Sequence, residues 1–277
     1  MRFELTRDPS EFAARAGGYI EERIECNVLG TVSQNILEGR HPSALFGYGL
    51  DHRGDVRFAA LRTPPWFLLA SELDEQHARD FVELWLEADP EVPGVNGVPR
   101  TAQAIAAGWA ARTGGSTECR MRDAMHSLEE VRDPPRPAHG QLRVAHHDER
   151  ALLIGWMRAF AHEAGVTGAD QAEALVDAAL RRDRLFVWNA EQPVSMVGCS
   201  PPIGAVVRIG PVYTPPEFRR HGYGGSAVAA ISRRALAGEA TKCMLFTDLA
   251  NPTSNKIYAE VGYRPFANWE EHAFKPA

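Results

Sequence analysis

At roughly 100 to 200 residues per domain, a chain of 277 residues is long enough for two. Apolar residues make up 44% and charged residues 24% of it, ordinary globular values that exclude a disordered chain, a collagen and a disulfide mini-protein. The net charge of −6 argues against a nucleic-acid partner, which would need a basic stripe.

No run of about 18 uncharged apolar residues exists to cross a membrane, and none is expected as a partner. The opening MRFELTRDPSEF mixes charges of both signs without an apolar stretch, so no secretory signal is expected and the expected location is the cytoplasm. Cys26, Cys119, Cys199 and Cys243 show neither CxxC spacing nor Cys/His pairing at metal-ligand spacing, which predicts reduced thiols and no metal site. Residues 1–140 carry 15 basic and 22 acidic side chains and residues 141–277 carry 15 and 14, so the second half is the better host for an anion. The oligomeric state is left open.

In chain order, helical periodicity covers residues 12–23, strands fit 44–51 and 55–62, and an apolar run follows at 66–71. An amphipathic helix fits 75–87 and another 101–112. Pro134, Pro135 and Pro137 then interrupt residues 132–140, which read as an interdomain linker. The expected division is a first domain 1–134, a linker 135–140 and a second domain 141–277. The second half reads as helices at 151–165 and 170–182, strands at 185–190, 193–200 and 205–214, a helix at 224–237, a strand at 242–249, a helix at 252–261 and a last strand at 264–274. That alternation predicts an α/β class with a mixed sheet. A Thr-Pro-Pro at 63–65 set over the one at 214–216, with Pro99 near Pro252, suggests two copies of one unit.

The most informative stretch is VRIGPVYTPPEFRRHGYGGSAVAAI, where a strand ends and Arg219-x-x-Gly222-x-Gly224 leads into a helix. Glycines at 222, 224 and 225 permit backbone conformations barred to residues with a Cβ and let a ligand approach closely. The helix start adds unpaired N–H groups and a positive dipole end. Together, Arg219, Arg220, His221, Gly222, Tyr223, Gly224, Gly225 and Ser226 read as a phosphate cradle. It is neither GxxxxGK[ST] nor GxGxxG followed by an acid.

A strand, R-x-x-G-x-G and a helix in this order resemble the acyl-CoA pyrophosphate loop of the GNAT superfamily of acetyltransferases. The block Asn251-Pro-Thr-Ser-Asn255-Lys-Ile-Tyr258-Ala-Glu-Val-Gly262-Tyr263 resembles the family's N-x-x-A-x-x-L-Y-x-x-x-G-F helix and turn, with Ser254 in place of alanine. The whole chain resembles the tandem-GNAT arrangement of actinobacterial acetyltransferases, with a degenerate first half. Where that half should carry a pyrophosphate loop it has SELDEQHARDF, residues 71–81, acidic and without glycine. Ile105 stands opposite Tyr258 there, and Val98 opposite Asn251.

The resemblance implies acetyl-CoA as donor, CoA as product and a small-molecule amine or a peptide N-terminus as acceptor, attacked directly in a ternary complex. It assigns Val212 and Thr214 to backbone pairing with the pantetheine arm, the Val212 N–H to the thioester oxygen, and Asn251 and Asn255 to the cofactor side. Pro211, which lacks an N–H, suits a bulge that splays the strand from its neighbour. Tyr258 has two readings: a phenol packed on the sheet, or the acid that protonates the leaving thiolate. The family's strand glutamate, four residues before Val212, is here Arg208, which cannot take a proton. Asp248, Glu163 and Glu217 are the candidate bases; Asp248 has a competing role capping its turn, and Glu217 one as a solvated loop charge. Arg208 either pairs with an acid of the first domain or holds a carboxylate on the acceptor. His146, His147, His162 and His221 form no ligand set. Trp156, Phe160, Trp188 and Met196 read as core before acceptor pocket, and Cys199 and Cys243 as buried. A non-catalytic acyl-CoA-binding or sensor protein is the alternative to an enzyme.

Overall fold

A computed structural model describes residues 1–39, 43–165, 169–238 and 240–277. The chain divides into two compact units, Met1–Met125 with Ala267–Ala277, and His126–Phe266.

The first unit runs β1 (Arg2–Thr6), α1 (Pro9–Glu21), α2 (Asn27–Leu37), β2 (Leu45–Leu50), β3 (Val56–Arg62), β4 (Leu68–Ala70), α3 (Glu75–Ala88), β5 (Gly94–Gly97), α4 (Pro99–Thr113) and most of β6 (Ser116–Leu128). The second holds β7 (Gln141–Val144), α5 (Arg150–Ala164), α6 (Ala172–Leu180), β8 (Leu185–Ala190), β9 (Gln192–Cys199), β10 (Val206–Tyr213), α7 (Tyr223–Gly238), β11 (Lys242–Asp248), α8 (Pro252–Val261) and the start of β12 (Arg264–Lys275). The sequence pattern finds α1, β2, β3, α3 and α4 in the first unit and every named element of the second except the short β7. It misses β1, α2, β5 and β6. Two of these, β1 and β5, are only 5 and 4 residues long, too short for alternation to register.

Both units repeat one order of elements: a strand, two helices, an antiparallel hairpin, a strand, a helix, a parallel strand and a helix. In this order α4 corresponds to α8, and each begins with proline after its N-cap, Val98 or Asn251. The Thr-Pro-Pro match does not survive. Residues 63–65 follow β3 and precede β4, whereas 214–216 follow β10, the counterpart of β4.

Two domain boundaries are corrected. The last residues do not stay with the second unit: β12 pairs antiparallel with β5 through Glu270↔Gly97, Glu271↔Asn96, His272↔Val95 and Ala273↔Gly94. Phe274 stacks on Trp109 with ring centroids 4.5 Å apart and joins the core of Phe81, Trp85 and Ile105. The segment read as a linker is part of the second unit, where Arg132 N donates to Val261 O (2.8 Å), Ala138 N to Ser226 Oγ (2.9 Å) and Trp188 Nε1 to His139 O (2.9 Å). Prolines suit such a strap because their fixed φ holds an extended path while few N–H groups need partners.

The second unit has two apolar clusters, one on each face of its strands. Val207, Ile209, Cys243 and Leu245 pack with Ala227, Val228 and Ile231 of α7. Val187, Met196 and Tyr213 pack with Leu153, Trp156 and Met157 of α5 and Val176 of α6, with Phe160 against them. Trp188 lies in the first cluster, so Trp156, Trp188 and Met196 are core and Phe160 is partly buried against the second cluster, and Cys199 and Cys243 are buried.

Candidate functional site

The site begins with a parting of strands. β10 and β11 pair in parallel only at Val206↔Lys242, Val207↔Cys243 and Arg208↔Met244, although β10 continues to Tyr213 and β11 to Asp248. Against β9, the register of β10 shifts between Ile209 and Val212, at Gly210-Pro211. This is a bulge: an extra residue bends the strand, and proline withholds a ladder donor. Beyond Arg208, the part of β10 carrying Val212, with Thr214 just after it, is therefore not paired with β11.

The bulge also resets which way side chains point. Residues 208, 210, 212 and 214 would share a face on an unbroken strand. Instead Val212 packs with the cluster that holds Val207 and Ile209, and Tyr213 joins the opposite one. Arg208, alternating with 207 and 209, thus shares its face with Tyr213. Its Nε is shielded from solvent without a hydrogen-bond partner among the described residues, and burial lowers the guanidinium pKa below its ordinary value.

The loop after β10 follows from two left-handed residues. Arg220 has φ 66° and Gly222 φ 81°, and alternating such residues with right-handed or extended ones turns successive N–H groups toward one point. The first helical bond of α7 is Ser226 N to Gly222 O, 3.0 Å, which leaves the preceding amides without intrahelical partners. Glycine at 222 has a second cause that the sequence did not reveal. A Cβ there would lie 2.6 Å from Arg136 O of the strap, so the backbone of the protein itself needs the space. A Cβ on Gly224 would lie 3.2 Å from Thr214 Oγ1.

Several side chains assigned to the cofactor or the acceptor also make contacts within the protein. Arg219 Nη2 pairs with Glu163 Oε2 at 2.6 Å and its Nε donates to Thr214 O at 2.9 Å, while Tyr213 OH donates to Glu163 Oε1 at 3.1 Å. Glu163 therefore braces α5 against the loop. Ser226 Oγ is taken by the strap, and Thr214 Oγ1 lies 2.9 Å from Ser195 Oγ. Tyr223 is buried beneath His221, at 5.6 Å between ring centroids, with His139 at its edge. Glu217 is exposed.

The turn from β11 to α8 is an interlocking set. Asp248 Oδ1 accepts from Ala250 N (2.8 Å), Asn251 Oδ1 caps α8 through Ser254 N (3.1 Å), and Asn255 Nδ2 bridges Asp248 O and Asn251 O. The capping reading of Asp248 is the one the structure displays. Seven residues after Asn251, Tyr258 packs at the margin of the α7 cluster beside Tyr263, and burial pushes its phenol up to about 12. It stays protonated at neutral pH.

The sequence model of the FR47-like protein family matches residues 201–272, which hold β10, the loop, α7, β11 and α8. No curated protein matches the chain. Among solved structures, a GNAT-family acetyltransferase from Colwellia psychrerythraea superposes over 100% of both chains with a TM-score of 0.61 at 10% identity. A tandem GNAT protein from the clavulanic acid biosynthesis pathway covers 99% of this chain and 98% of its own, with a TM-score of 0.57 at 12% identity. A GCN5-related N-acetyltransferase from Kribbella flavida covers 79% of this chain and 87% of its own, with a TM-score of 0.57 at 19% identity. The chain is therefore a tandem GNAT-fold protein, and its FR47-like segment holds the parted strands, the glycine loop and Tyr258.

Proposed function

We propose that the second unit transfers an acyl group, acetyl in the first instance, from acyl-CoA to a primary amine by direct attack. The observation that carries this reading is the parting of β10 from β11 beyond Arg208, because it leaves a strand edge unpaired beside a nest of amides. Bound acyl-CoA would supply an activated thioester. Residues 220–225 would hold its phosphates through backbone N–H groups, a role that needs no side chain. Val212 lies on the stretch of β10 that is not paired with β11, and its N–H would stabilise negative charge on the thioester oxygen. Tyr258 would donate its proton to the departing sulfur, for which a phenol held neutral at pH 7 is suited.

Arg208 would bind the acceptor. An arginine whose Nε is buried without a partner is costly, and a ligand carboxylate presents the matching acceptors. The acceptor class that fits is an amine bearing a carboxylate, such as an amino acid or a peptide. Asp248 keeps Oδ2 for a role as base, while Glu163 is engaged by two donors. Among the described residues, no helix is long and apolar enough to cross a membrane. Among the described residues no disulfide joins the cysteines, which supports the cytoplasm as the proposed location.

The test is Tyr258→Phe, assayed by thiol release and by acetyl-CoA titration. Turnover should fall by roughly ten- to a thousandfold with the affinity for acetyl-CoA unchanged. Binding without turnover in the unaltered protein, over a panel of carboxylated and simple amines, would favour the sensor reading.

A further inference from the structure

The first unit brings Cys119 beside two side chains, Glu270 and His272, that are far from it in sequence. Cys119 Sγ on β6 and carboxylate and ring atoms of Glu270 and His272 on β12 all lie within 4.8 Å of one another. β6 and β12 are neighbouring strands. Glu270 and His272 are buried, and Cys119 is half-buried.

Each donor is held in place. His272 Nε2 lies 2.8 Å from Glu270 Oε2, which also accepts from Gln103 Nε2 at 2.9 Å, and Arg122 Nε reaches Glu270 Oε1 at 3.3 Å. Burial works to raise the Glu270 pKa, but the hydrogen bonds from His272 and Gln103 outweigh it and keep the carboxyl ionised. Burial, followed by the charge of Glu270, raises the Cys119 thiol.

We propose that Cys119, Glu270 and His272 form a binding site for a zinc-class transition metal ion, which ties the last strand of the chain to the first unit. The donor set selects the class. A thiolate and an imidazole disfavour magnesium and calcium, and a mixed sulfur, nitrogen and oxygen set suits a tetrahedral ion with water in the fourth position. On binding, the sulfur–metal bond replaces the S–H bond, and the thiol proton passes to solvent. His272 Nε2 gives up the proton it donates to Glu270, which passes to Nδ1 or to solvent, and the lone pair so freed binds the metal. Gln103 and Arg122 become the outer partners that orient the Glu270 carboxylate, and the Arg122 guanidinium, on the other oxygen and largely exposed, need not be displaced. None of these residues belongs to the second unit, so the proposal stands apart from the transferase reading.

Cobalt(II) tests it, added to the full-length protein without a histidine tag. The expected result is about one cobalt per chain, a thiolate-to-cobalt band in the near ultraviolet and strong visible absorption of tetrahedral geometry, all removed by equimolar zinc. Cys119→Ser should abolish the near-ultraviolet band, and His272→Gln should weaken binding by at least about tenfold, with unchanged circular dichroism in both. Because Cys26, Cys199 and Cys243 are buried, thiol reagents read Cys119 in the native protein, and zinc should slow its reaction. A missing band at millimolar cobalt, a band that survives Cys119→Ser, or a thiol reaction indifferent to zinc would each overturn the site.

Discussion

The two units follow one order of elements and part company at a single place. In the first, β4 and β5 stay together to their ends: they pair at Leu68↔Val95 and Leu69↔Asn96, and a Cβ on Gly97 would come within 3.1 Å of Ala70 O. The amides after β4 are used internally, Ser71 N by Ala59 O at 2.9 Å and Leu73 N by the buried Thr101 Oγ1 at 2.8 Å. At the start of α3 lies an open depression of about 680 Å³ lined by Asp74, Glu75, Asp80, Arg79 and Arg100. In the second unit β10 bulges and its pairing with β11 ends at Arg208, and two left-handed residues shape the loop that follows. On the proposed reading, the strand edge left open beside the glycine loop is what makes the second unit the acyl-CoA site, and the first unit lacks it.

Gly222→Val should have the largest effect. It forces a branched side chain to φ 81° and against Arg136 O, so acetyl-CoA affinity should drop at least about hundredfold, near 2.7 kcal/mol. Calorimetry on the unaltered chain should give one site. Two equivalent sites would break the contrast between the units.

Thr101→Val attacks the closed unit. Removing the hydroxyl leaves the Leu73 N–H buried without a partner, which should cost about 1–3 kcal/mol in denaturant unfolding. No acetyl-CoA site should appear in its place, since the acids at the start of α3 remain. A variant of undiminished stability would show that the internal use of these amides is not what closes the unit.

Arg208 sharpens the reading of the open unit. Arg208→Lys keeps the charge and loses the fork, so KM for a carboxylated amine should rise by about tenfold while KM for acetyl-CoA holds. Arg208→Met, which removes a guanidinium whose Nε is buried and unpaired, should leave stability equal or higher. A fall in melting temperature with both KM values unchanged would make Arg208 structural and withdraw the carboxylate.

The smallest effect is shared. Burial holds Tyr19 and Cys26 in the first unit, and Cys243 and Tyr258 in the second, at about 12, from ordinary values of 10.0 for tyrosine and 9.0 for cysteine. Below pH 9 these groups are protonated in both the folded and the unfolded chain. Above it the unfolded chain loses protons that the folded one keeps, so stability should decline from about pH 9 toward 12. Denaturant midpoints across that range check the sign. Tyr258 ionisation should bring no alkaline loss of activity before that range ends.

Local chemistry was legible because it is written over adjacent residues. The Gly-Pro before Val212 marked the bulge, the 219–225 run marked the loop, and the block from Asn251 to Tyr258 marked the cap and body of α8. The acidic, glycine-free composition of residues 71–81 was likewise legible, since charge and missing glycine need no partner to be read. What neighbours decide was not visible. Gly222 is required by Arg136 as well as by any phosphate, and Arg219 is tied to Glu163, 56 positions away. The Pro-rich segment proved to be a strap because hydrogen bonds to Ser226, Trp188 and Val261 hold it. The clearest case is the end of the chain. Local pattern gave β12 as a strand, yet only its place in the sheet, between β5 and β6, assigns residues 267–277 to the first unit and sets Glu270 and His272 beside Cys119. Strand pairing satisfies backbone groups without regard to sequence separation, so a three-residue cluster built across it leaves no spacing to be found in the sequence.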